Sequence, residues 1–106
     1  LEGVFLNEEP GPEYFSNRWL TTVLIDPEKA ACDREKLRIE LGRENIESRP
    51  LWKPMHLQPV FSKYPALVNG VSEALFEKGL CLPSGSNLSS EDRERILSCL
   101  LRNLGR

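Results

Sequence analysis

A chain of 106 residues, 40% apolar and 28% charged, is one domain's worth of polypeptide with enough apolar side chains for a core. Its formal charge of −2, with no basic stripe and no acidic run, argues against nucleic-acid binding and against a disordered tail. Apolar stretches are broken by charge within a few residues, and Leu1–Phe5 carry no basic start or apolar run, so neither a membrane span nor a signal peptide is expected.

Cys32, Cys81 and Cys99 are widely spaced and form no CxxC pair. With His56 as the only histidine they make poor metal-site material, so free thiols in a reducing compartment and no bound metal are the expectation. The sole methionine is Met55 and the chain opens at Leu1, which suggests a piece of a longer protein.

In chain order, residues 1–13 hold Asn7-Glu8-Glu9-Pro10-Gly11-Pro12 and read as a loop or boundary linker before a domain over 14–106. Arg18 to Ile25 is dense in β-branched and aromatic residues and predicts a strand covered on both faces, ended by Asp26-Pro27. Asp33 is a plausible N-cap for a helix over 34–42, with Leu37 and Leu41 inward and Gly42 near its stop. Residues 45–51 read as a short strand that Pro50 either stops or confines to an edge.

Pro54, Pro59 and Pro65 forbid a regular helix over 52–67, leaving a loop with a short helical turn. A helix over 70–78 follows, with Val71, Leu75 and Phe76 inward, then a brief strand at Leu80-Cys81-Leu82 and a turn at 83–87. Ser89 and Asp92 form a capping-box-like start for a last helix whose stripe is Ile96, Leu97, Leu100, Leu101 and Leu104. The expected fold class is α+β: a small sheet with three packed helices.

The densest chemistry lies in Glu47 to Pro59, where guanidinium, ammonium, imidazole, amide and indole groups share a proline-stiffened loop. Arg49 and Lys53 can neutralise phosphate oxygens, Trp52 offers a flat face to a ring, and His56 and Gln58 can bond hydroxyls. The alternative is a solvated pair of cations beside a core indole. His56 equally suits a hydrogen-bonded structural role, and Asn17 and Arg18 suit a solvated strand end. Neither a GxxxxGK[ST] nor a GxGxxG spacing is present, so Gly85 and its serines are turn residues.

Three blocks nonetheless carry a resemblance. Arg49-Pro50-Leu51-Trp52-Lys53-Pro54-Met55-His56, Tyr14-Phe15-Ser16-Asn17-Arg18-Trp19-Leu20-Thr21 and Gly79 through Leu88 follow the order and spacing of the C-terminal region of DegT/DnrJ/EryC1/StrS aminotransferases. The central block is most similar to the branch acting on UDP-4-keto-6-deoxy-N-acetylhexosamines in bacillosamine-type pathways.

The resemblance implies the small C-terminal domain of a fold-type-I, homodimeric aminotransferase of the bacterial cytoplasm. In such an enzyme pyridoxal phosphate is held by a large-domain lysine and glutamate is the usual amino donor. It implies a UDP-linked sugar as substrate, polysaccharide or surface glycan as the destination, and Arg49, Trp52, Lys53, His56 and Gln58 near the substrate. No residue here matches the family's cofactor lysine, and Lys53 is not expected to serve as one. The chain alone is therefore expected to be inactive. A dehydratase of the same family and a non-catalytic binding or dimerisation module are the alternatives.

Overall fold

The computed structural model describes residues 1–17 and 19–105. Among them, strands β1 (Val4–Leu6), β2 (Thr21–Ile25), β3 (Arg49–Pro50) and β4 (Gly79–Leu82) form one antiparallel sheet in the order β1-β2-β4-β3. The helices are α1 (Arg34–Arg43), α2 (Val71–Lys78) and α3 (Ser90–Leu104), with single 3₁₀ turns at Met55–Leu57 and Pro59–Phe61. This is the expected α+β architecture of a small sheet and three helices.

The core lies on one face of the sheet. Alternation along β2 and β4 sends Val23, Ile25, Leu80 and Leu82 to that face. There they meet Leu37 and Leu41 of α1 and Cys99 and Leu104 of α3. The same alternation lines up Thr22, Cys81 and Arg49, which are paired across β2, β4 and β3, on the opposite face. That second face is where the site described below opens.

Local chemistry fixes the helix ends. Asp33 Oδ1 accepts the Lys36 amide at 2.8 Å and caps α1. At the other end the helix runs past Gly42, and Asn45 takes the left-handed conformation with φ 55°. The Asn45 amide then donates to Gly42 O at 3.1 Å and the Ile46 amide to Leu41 O at 2.9 Å, a Schellman closure that also buries Ile46 beside Leu41. In α3, Ser89 and Asp92 form the full capping box: each side chain accepts the other's amide.

Several elements depart from the sequence reading. Val4–Leu6, expected within a loop, pair with β2 as Val4↔Ile25 to Leu6↔Val23. Gly3, at φ 75°, makes the approach possible, because a Cβ there would lie 2.5 Å from the Ala30 amide nitrogen. The strand expected over 18–25 is regular only from Thr21, and Arg18 lies outside the described residues. The strand expected over 45–51 shortens to Arg49–Pro50, since the left-handed turn at Asn45 occupies its start. Pro50 does lie at the sheet edge.

Two helical faces are also rotated from expectation. In α2, Leu75 and Phe76 are half-buried but Val71 is exposed at the first turn, and Phe76 lies under the Arg34 guanidinium, 5.4 Å from ring centroid to Cζ. In α3 the inward residues are Ile96, Cys99, Leu100 and Leu104, while Leu97 and Leu101 are exposed. Cys99, small and fully buried, lies on this inner face in the cluster that holds Leu37 and Leu41 of α1.

Candidate functional site

On the sheet face away from the core, the end of β4, the β3 edge and the start of the proline loop enclose a cleft of about 470 Å³. Its walls are mainly apolar, with Leu20, Pro50, Leu82, Pro83 and the Trp52 indole around a floor at Cys81. Burial pushes the Cys81 thiol above its usual range, which keeps it protonated and unreactive. Cys32 and Cys99 are likewise free, buried and raised by burial.

Trp52 stands at the cleft mouth, exposed, with its indole tilted 35° against Trp19 and the ring centroids 6.2 Å apart. Trp19 is set by a local turn, since the Asn17 side-chain oxygen accepts its amide at 3.1 Å. The two exposed indoles in contact present an aromatic surface to solvent. On the opposite rim Arg49 is paired with Glu47, whose Oε1 accepts from Nε at 2.8 Å and from Nη2 at 2.5 Å. Ser48, between them, has a buried hydroxyl at the cleft with no protein hydrogen bond.

The sequence-derived site residues therefore separate. Arg49 and Trp52 come together at one cleft. Lys53 is exposed beside Trp52, and its carbonyl accepts from Gln58 Nε2 at 2.9 Å, so Gln58 braces the loop from within. His56 turns away to α2, where its Nε2 lies 2.5 Å from Glu73 Oε1. Trp19 and Glu47 were missed: the i, i+2 spacing of Glu47 and Arg49 in extended chain was the available signal for one. Nothing short of the fold could pair Trp19 with Trp52.

A second cleft of about 490 Å³ lies across the Leu82–Ser84 segment, between the following loop and α3, with Arg93 at its rim. Ser84 stands at both clefts and fixes their shared wall by accepting the Thr21 amide at 2.7 Å and donating to Leu82 O at 2.9 Å.

Solved aminotransferases contain this fold as part of their chains. A DegT/DnrJ/EryC1/StrS aminotransferase from Brucella abortus matches with a TM-score of 0.79 and 26% identity, over 98% of this chain and 27% of that one. The model of the DegT/DnrJ/EryC1/StrS aminotransferase family matches residues 2–101, and the chain belongs to that family. EpsN of Bacillus subtilis (strain 168), named as a pyridoxal phosphate-dependent aminotransferase, is 46% identical over 85% of this chain and 24% of its own length. GDP-perosamine synthase of Escherichia coli O157:H7 is 35% identical over 74% of this chain and 21% of its own length. The chain thus spans about a quarter of the length of the curated relatives it matches.

The cofactor in the first relative's name needs an enclosed lysine amine, an acidic partner for its ring nitrogen and an anion cradle. Neither cleft contains a lysine, and the one acid at the first cleft is engaged by Arg49. These residues do not fit pyridoxal phosphate.

Proposed function

We propose that this chain is the C-terminal small domain of a pyridoxal phosphate-dependent aminotransferase that aminates C4 of a UDP-linked 4-keto-6-deoxy sugar. Glutamate is the amino donor, and the product serves surface glycan or polysaccharide synthesis in the bacterial cytoplasm. The observation that carries the reading is the cleft that joins a flat indole wall to a guanidinium, in a chain of this family. That combination suits a ring attached to phosphate. A nucleotide-linked sugar also stands in the name of GDP-perosamine synthase. The uridine form and the bacillosamine-type branch rest on the likeness of the Arg49–His56 block.

In this reading Trp52 stacks on a substrate ring, Arg49 meets a phosphate oxygen and Lys53 adds a second cation. Gln58 and His56 hold the loop that presents them. The cofactor and its lysine belong to polypeptide outside this chain, and a homodimer completes the active site. The 106-residue chain by itself carries out no transamination.

The test is to express the longer protein that contains this chain and supply UDP-4-keto-6-deoxy-N-acetylhexosamine, glutamate and pyridoxal phosphate. Mass spectrometry should find the 4-amino sugar, with 2-oxoglutarate formed in equal amount. Trp52→Ala should raise KM by about two- to tenfold, the range for losing one aromatic contact. Loss of water without gain of nitrogen would move the protein to the dehydratase alternative.

A further inference from the structure

The residues lining the first cleft include two formally charged side chains, Glu47 and Arg49, and they are bonded to each other. The cleft is therefore electrically balanced as it stands. A phosphate arriving there meets a guanidinium whose Nε and Nη2 already face one carboxylate oxygen. Those two nitrogens form the edge that a phosphate would use for a two-point contact.

We propose that Glu47 is a resident counter-ion of Arg49, which the phosphate of a bound nucleotide displaces. The inference rests on the reading of this cleft as a nucleotide-sugar subsite. Two features let Glu47 act in this way. The pair is open to water, at 78% exposure for the Arg49 side chain and 73% for Glu47, so the bond between them is weak. Among the described residues, Arg49 is also the partner recorded for the Glu47 carboxylate, which leaves it free to swing outward once released.

The consequence is discrimination among anions. A neutral ring gains the indole wall and leaves the ion pair intact. A diphosphate exchanges a single carboxylate for oxygens carrying more charge, and the exchange is favourable only because the displaced carboxylate returns to water. A singly charged carboxylate ligand has no such advantage over the resident one, so glutamate itself is excluded from this edge.

The experiment titrates UDP and uridine by calorimetry into the longer protein that contains this chain, as wild type, Glu47→Gln and Arg49→Gln, with circular dichroism to confirm equal folding. Glu47→Gln should bind UDP about two- to fivefold more tightly than wild type, the worth of one exposed ion pair. Uridine should bind both forms alike, and Arg49→Gln should lose most of the preference for UDP over uridine. Equal UDP affinity in wild type and Glu47→Gln overturns the role of Glu47 and leaves the cleft assignment standing. Failure of millimolar UDP to bind either form overturns the cleft assignment, and the counter-ion with it.

Discussion

At Gly79 the chain passes from α2 directly into β4, and no side chain fits there. A Cβ would lie 2.1 Å from Leu51 Cδ1 and 2.4 Å from Leu75 O. The backbone itself is ordinary, at φ −94°, so the demand is for space and not for a special conformation. The Leu51 tip can rotate, but the Leu75 oxygen belongs to the last turn of α2 and moves only if that turn does. Gly79→Ala should therefore destabilise the fold by about 1–3 kcal/mol, in the range of overpacked cores. Urea unfolding reads this as a lower midpoint at unchanged slope. An unchanged midpoint would mean that the junction of Leu51, α2 and β4 is looser than its geometry. The same junction holds Leu51 next to Trp52, so the loss should also loosen the cleft mouth.

Between elements, the contact of α1 with α3 combines buried apolar packing with a charged tie at its end. The Arg102 guanidinium bonds the Glu44 carboxylate, and Arg95 Nη1 donates to Glu44 O at 2.7 Å, so α3 holds the residue that ends α1. The Arg102 hydrogen bond is the main cause that keeps the Glu44 carboxyl below the usual glutamate value of 4.5. A carboxyl lowered in the folded state contributes stability that is present above its unfolded value and lost as pH falls through its folded one. Arg102→Gln should therefore lower the thermal midpoint at neutral pH, and the gap to wild type should close as pH falls below about 4.5. A gap that persists undiminished at pH 3 would assign the effect to lost packing of the arginine stem.

Over the whole molecule, many large apolar side chains stand on the surface among the described residues. Phe15 and Leu67 are almost fully exposed, at 91% and 105% relative accessibility, and Trp19, Val60, Val68 and Val71 are more than half exposed. Many of these lie in the proline loop and its flanks, away from the core face of the sheet. Exposed apolar surface on this scale drives association in water. Sedimentation of the 106-residue chain should show a mass that rises with concentration, with binding of a hydrophobic dye at the same concentrations. A monodisperse monomer that binds no dye would count against an unpartnered face and favour a self-sufficient module.

Legibility in the sequence followed the range of the interactions. The caps at Asp33 and Ser89, the inward Leu37 and Leu41, the edge position of Pro50 and the irregular 52–67 segment all depend on neighbours within a few residues. Periodicity and capping chemistry report these directly, and the Arg49–Trp52 block carried the family in the same local way. Tertiary structure decided the rest. β1 exists because Ile25 and Val23 offer it a ladder, the inner face of α3 is fixed by the core it shares with α1, and Trp19 reaches Trp52 across 33 positions of chain. Short strands and long-range ring contacts gain nothing from their own sequence alone; they are stable only where a distant partner already stands.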